Sequence, residues 1–159
     1  MKRMFSLTAA CLLACASCAA GPRSGSIAVD QFKEVGERIV ENLLARKDYM
    51  LYKPGKGLHY AEACTAVGAL RFADYTGNRA LLDKVIARYE KFLEPDSVLI
   101  SRHSHVDHNV EGIVPLQIYL INGQRRWLDL GLSFADSQWE KTQEDGLTDQ
   151  TRWWIDDMY

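Results

Sequence analysis

Cysteine is nearly absent where it would matter. Of four in 159 residues, Cys11, Cys15 and Cys18 fall within the first eighteen, and only Cys64 remains beyond them. No disulfide can therefore form within the body of the chain, and the fold must stand on its apolar core. Positive charge is also short. The first eighteen residues hold two of the nineteen Lys and Arg and none of the twenty-one Asp and Glu, so the rest carries 17 basic against 21 acidic residues, a net −4. That sign is wrong for a nucleic-acid binder that neutralises phosphates. No apolar run reaches the roughly 20 residues of a bilayer-spanning helix. With four prolines, eleven glycines and 47% hydrophobic residues, the chain is neither collagen-like nor disordered, and it has material for one core.

What is present begins with a leader. Met1-Lys2-Arg3 precedes an apolar run over residues 4–20, the charge-then-hydrophobe order of an export signal. Cysteines preceded by small residues at the end of such a leader resemble the bacterial lipobox, whose cysteine is lipidated and becomes the mature N-terminus. Ala16-Ser17-Cys18 fits it best and Leu12-Leu13-Ala14-Cys15 second; Ala19-Ala20-Gly21 offers plain cleavage as a third route. All three place the protein outside the cytoplasm, in the periplasm or cell envelope, with a lipid anchor at Cys18 as its only membrane contact. The expected division is 1–18 signal, 19–29 polar tether and 30–159 body.

The body reads as all-α. Phe32, Val35, Ile39, Leu43 and Leu44 form one apolar stripe at helical spacing, as do Leu81, Leu82, Val85, Tyr89, Phe92 and Leu93, and again Trp127, Leu128, Leu132, Ala135 and Trp139. Residues 61–73 and 110–121 are apolar nearly all round and are expected to be buried on most faces. Pro115 fits a helix that starts near Glu111 or Gly112, because a missing N–H matters little in a first turn. Aligning Gly77 with Gly123 gives a shift of 46 residues, under which Leu70 meets Leu116, Arg79 meets Arg125, Leu82 meets Leu128 and Asp83 meets Asp129. A helical hairpin repeating at this length is the mark of an array or toroid of helix pairs. Buried helices would lie inside and run parallel, with amphipathic helices outside.

That arrangement brings His59-Tyr60, Asp107-His108 and Asp156-Asp157 to one mouth, at the N-termini of successive inner helices; Asp107 and Asp156 stand 49 residues apart. Helix N-termini favour an anionic ligand such as a carboxylated sugar, and Tyr60, Trp153 and Trp154 offer flat faces for its rings. Tyr159 falls in the first turns of a third inner helix, so the chain is expected to be a fragment of a longer domain.

A different chemistry is written in His103-Ser104-His105-Val106-Asp107-His108, the His-x-His-x-Asp-His pattern of metallo-β-lactamase-like hydrolases. Such ligands hold zinc and lower the pKa of its water to about 7. Ser97-Val98-Leu99-Ile100-Ser101 reads as the short strand that precedes such a motif. The helical residues 30–93 and the lack of any His after His108 argue against this reading.

Gly57-Leu58-His59-Tyr60, then Ala69-Leu70-Arg71-Phe72-Ala73 with Tyr75-Thr76-Gly77-Asn78, then His105-Val106-Asp107-His108-Asn109-Val110-Glu111-Gly112-Ile113-Val114-Pro115-Leu116, then Gln150-Thr151-Arg152-Trp153-Trp154-Ile155-Asp156-Asp157-Met158-Tyr159, resemble in order and spacing the unsaturated glucuronyl and rhamnogalacturonyl hydrolases of glycoside hydrolase families 88 and 105. The likeness spans residues 30–159. It implies an (α/α)6 barrel, of which this chain holds about the first half, and no metal or cofactor. It also implies hydration of the C4=C5 double bond that polysaccharide lyases leave in a terminal uronic acid. Asp156 matches the catalytic aspartate, Asp107 the second essential aspartate, and Tyr60 and Trp154 the aromatic residues against the substrate. One Asp acting as acid and then base suffices for this reaction. Two carboxylates at one mouth would raise the proton affinity of one of them. Two other functions fit the same residues: the zinc hydrolase, and a helical-repeat lipoprotein that binds glycans without consuming them.

Overall fold

The computed structural model describes residues 29–53, 57–101 and 106–148. The leader with Cys18, most of the tether, His103, His105, and the segment carrying Trp153, Trp154, Asp156 and Asp157 lie outside the described residues. Within them the fold is all-α, as expected. In chain order the elements are α1 (Val29–Ala45), α2 (Tyr60–Tyr75), α3 (Arg79–Tyr89) with a 3-10 turn (Glu90–Leu93), the single turn α4 (Val106–Asn109), a 3-10 turn (Val110–Gly112), α5 (Ile113–Asn122) and α6 (Arg125–Ser137). No described helix is long and apolar enough to cross a membrane.

The repeat is visible in the backbone. Gly77 and Gly123 close the α2–α3 and α5–α6 turns with φ of 67° and 69°, a region that glycine alone enters without strain. Asn78 accepts the Leu81 N–H at 3.1 Å and caps α3. Helices α2 and α5 pack side by side. At one end of this pair Tyr52 ties Tyr60 to Asp107; farther along, Arg71 Nε donates to Gln117 Oε1 at 2.8 Å, and these two residues stand 46 apart. The two inner helices therefore run parallel, each followed by an outer helix. Pro115 is buried at the third position of α5, where its missing N–H does little harm.

Leu70, Leu82, Val85, Tyr89, Phe92, Leu99, Ile118 and Trp127 make the centre of the core. The stripe expected for α3 is buried as read, but those of α1 and α6 are buried only in part, at Leu43 and at Trp127. Phe32, Val35 and Ile39 are exposed, and α1 packs through Gly36 and Val40 together with Leu43. A Cβ at Gly36 would come within 2.2 Å of the Phe72 ring, so the helix approaches where it has no side chain. In α6, Leu132, Ala135 and Trp139 face out while Trp127, Gly131 and Phe134 face in; Gly131 lies against Leu116 and Gly112 against Phe134. Glycine at the contact chose the face in both helices. Helix α2 also keeps one open face, through Cys64, Thr65, Gly68, Arg71 and Tyr75, and Leu120 of α5 is exposed, so neither inner helix is buried all round. Residues 97–101 form a turn, with the Leu99 N–H on Ser97 Oγ, rather than the strand the zinc motif would follow.

Candidate functional site

The loops that precede α2 and α4 meet at the N-terminal end of the inner helices. The first folds back on itself: Leu51 pairs with Leu58, and the His59 N–H donates to the Met50 carbonyl at 2.8 Å. The Leu58 N–H donates across to the Leu99 carbonyl at 3.0 Å, joining one repeat to the next. These backbone bonds place His59 and Tyr60 beside Asp107 and His108, the meeting that the repeat predicts.

At the centre stands Tyr52, which sequence reasoning missed. Its hydroxyl donates to the Asp107 carbonyl at 2.9 Å and accepts the Tyr60 N–H at 3.4 Å. Its ring lies 4.4 Å from that of His59 and 4.6 Å from that of His108, and His59 lies 4.4 Å from Tyr60. Four aromatic rings thus line one patch, with Tyr60 about half exposed at its rim. Burial pushes the Tyr52 phenol above its ordinary pKa and the Asp107 and Glu111 carboxyls act in the same direction, against the Tyr60 N–H, so the phenol remains a proton donor at neutral pH.

The anion site expected at the N-terminus of α2 is not built from free backbone N–H groups. Tyr60 N–H is taken by Tyr52, Ala61 N–H by His59 Nδ1 at 3.2 Å, and the Glu62 and Ala63 N–H groups by the His59 carbonyl. His59 thereby caps α2, which requires Nδ1 to be unprotonated. Asp107 lies in the only turn of α4, half-buried. His108 Nδ1 is 2.6 Å from Ser101 Oγ. The end of α4 is tied to the end of α6: Asn109 Nδ2 donates to Gln138 Oε1 at 2.5 Å, and Ser137 Oγ donates to Asn109 Oδ1 at 3.2 Å. Gln138 Nε2 in turn donates to Thr148 Oγ1 at 3.2 Å.

Two buried glutamates support this patch from below, and both were missed as well. Glu62 accepts the Met50 N–H, Arg88 Nη2 at 3.1 Å and the Tyr89 hydroxyl at 3.2 Å. Glu111 accepts the Ser101 N–H at 3.2 Å. Burial pushes the Glu111 carboxyl up to about 8, against the backbone N–H groups of Ser101 and Leu58 that face it. The signal that would have found the pair is the spacing: Glu62 and Glu111 stand 49 residues apart, as do His59 and His108.

Of the site residues named from sequence, Tyr60 and Asp107 come together at the mouth; Asp156, Trp154 and Cys18 lie outside the described residues. Among the described residues no three His, Cys, Asp or Glu side chains converge as a metal-ligand set, and two ligands of the zinc motif, His103 and His105, are not among them. No family model, no curated protein and no solved structure matches this chain.

Proposed function

We propose that the chain is the N-terminal half of an exported (α/α)6 glycosidase that removes a 4,5-unsaturated uronic acid from the non-reducing end of lyase-generated oligosaccharides. The observation that carries this reading is the convergence of His59 and Tyr60 from one repeat with Asp107 and His108 from the next, around Tyr52, at the shared N-terminal end of parallel inner helices. Two features support the ring: the exposed apolar side chains Phe32, Val35 and Ile39 on α1 and Leu132 on α6, and the 46-residue repeat that relates the hairpins.

In this reading the Asp156 carboxylic acid donates its proton to C4 of the unsaturated ring, and water adds to C5 as the resulting carboxylate takes its proton. The C5 hemiketal then collapses, opening the ring and releasing the sugar on the leaving side. Asp107, held by its carbonyl on Tyr52, is the second essential carboxylate; Tyr60 and Trp154 flank the sugar face. Export and anchoring at Cys18 belong to the same reading and predict that Cys18→Ser abolishes lipid labelling.

The test is ultraviolet absorbance. Lyase-generated disaccharides absorb through the conjugated double bond, and the full-length protein should bleach it with or without chelator, while Asp156→Asn should abolish the loss. Bleaching that stops with chelator transfers the activity to the zinc hydrolase. A folded protein that binds the disaccharide without bleaching it is the non-catalytic lipoprotein, and near-wild-type turnover by Asp156→Asn ends the proposal.

A further inference from the structure

Glu62 and Glu111 are equivalent residues in successive repeats, and their surroundings have diverged. Each is fully buried at the start of an inner helix, and each holds a backbone N–H of the loop before it, Met50 on Glu62 and Ser101 on Glu111, both at 3.2 Å. The other oxygen of Glu62 meets Arg88 and Tyr89. The other oxygen of Glu111 has no hydrogen-bond partner among the described residues. The residue 46 after Arg88, on the outer helix of the second repeat, is the buried Phe134. Gly57 closes the remaining approach, since a Cβ there would lie 2.1 Å from Glu111 Oε1. Among the described residues this carboxyl meets no cation, and burial favours its neutral acid.

What Glu111 does hold leads to the mouth. It fixes the backbone of Ser101; Ser101 Oγ fixes His108 Nδ1; the His108 ring lies against Tyr52; and Tyr52 donates to the Asp107 carbonyl. The hydrogen bond that joins Glu111 to this line is the one from the Ser101 N–H.

We propose that Glu111 is a positioning residue: by clamping the Ser101 backbone it keeps Ser101 Oγ on His108 Nδ1 and so holds the imidazole in one place and one ring plane beside Asp107. Its functional consequence rests on the reading of the mouth as a uronyl site, where a fixed histidine ring meets the sugar's carboxylate or hydroxyls. The placing of the ring itself does not depend on that reading. Ser101 Oγ pairs with Nδ1 either as donor or as acceptor, so the clamp acts on the ring's position in both tautomers.

Ring-nitrogen NMR on the full chain reads this directly, with His108→Gln assigning the signals. Glu111→Gln keeps an acceptor for the Ser101 N–H and should retain the wild-type pair of His108 nitrogen shifts. Glu111→Met fills the same volume without an acceptor and should move them toward the shifts of a histidine that has lost its Nδ1 hydrogen bond. Ser101→Ala, with Glu111 intact, should displace them in the same way. Wild-type shifts in Glu111→Met overturn the proposal, as do altered shifts in Glu111→Gln. Should Glu111→Met not fold, unchanged His108 shifts in Ser101→Ala overturn it by themselves. In the disaccharide assay Glu111→Met should lose at least tenfold in kcat; if wild type has no activity, the uronyl reading falls while the placing of the ring stands.

Discussion

A neutral carboxyl sealed in the core makes stability depend on pH in a direction opposite to the usual acidic residue. The carboxyl of Glu111 moves from an ordinary 4.5 to about 8 on folding because it is buried. Between those values the folded protein binds a proton that the unfolded chain has released. Stability from this group is therefore complete below about pH 4.5 and is lost as pH rises to about 8. At about 1.4 kcal/mol per pH unit, the loss across that interval reaches about 5 kcal/mol, a large share of a small domain's total. Glu111→Gln removes the titration while keeping the volume and the acceptor for Ser101. Urea unfolding followed by tryptophan fluorescence, from pH 4.5 to 8.5, should give a wild-type curve that falls steadily and a Glu111→Gln curve that is flatter by about 1 kcal/mol per pH unit. The crossover matters: the variant should be no more stable than wild type at the acidic end and clearly more stable at the basic end. Parallel curves for the two proteins would refute the reasoning, because they would mean that Glu111 binds no extra proton in the folded state.

Glu62, unlike Glu111, meets a cation. Arg88→Met leaves its carboxylate buried without a cation, so unfolding free energy should drop by about 3–5 kcal/mol, and Glu62→Gln added to Arg88→Met should recover part of it. Gly77→Ala and Gly123→Ala each place a side chain in the left-handed region with no atom within 4 Å of the new carbon. Each should cost about 1–2 kcal/mol in the same unfolding assay, and nearly equal values would confirm that the two turns are copies. Tyr52→Phe removes both hydroxyl bonds at the mouth and should lose about 1 kcal/mol of stability, measured by urea unfolding, and about tenfold in disaccharide turnover.

Much of this architecture was legible because helices repeat. The spacing of Leu81, Leu82, Val85, Tyr89 and Phe92 located α3, which has neighbours on both sides, and the stripe is buried as read. Helices α1 and α6 each carry a second apolar face, and periodicity cannot rank the two. Close approach at Gly36 and Gly131 ranked them, and a hydropathy pattern gives glycine no weight. At the mouth, His59, Tyr60, Asp107 and His108 were found because they recur at helix starts. Tyr52 was not, since it sits in an irregular loop where no period applies. Glu62 and Glu111 were hidden by their charge, which by default assigns a residue to solvent.

The divergence of these two glutamates separates a structural clamp from a chemical one. In the first repeat every polar atom of the carboxylate is used, and Arg88 also donates to the carbonyls of Arg46 at 2.7 Å and Asp48 at 3.2 Å while Tyr49 donates to its own carbonyl. That cluster binds loop, inner helix and outer helix as one unit, and Glu62 is committed within it. In the second repeat the arginine's place is taken by Phe134, edge-on to Phe92 at 6.4 Å. Apolar packing stands where the first repeat has an ion pair, and among the described residues one oxygen of the Glu111 carboxyl has no hydrogen-bond partner. The repeat whose glutamate meets no cation among the described residues is also the one that carries Asp107 and His108. A neutral acid there shapes the loop through the Ser101 N–H without imposing a charge on its neighbours.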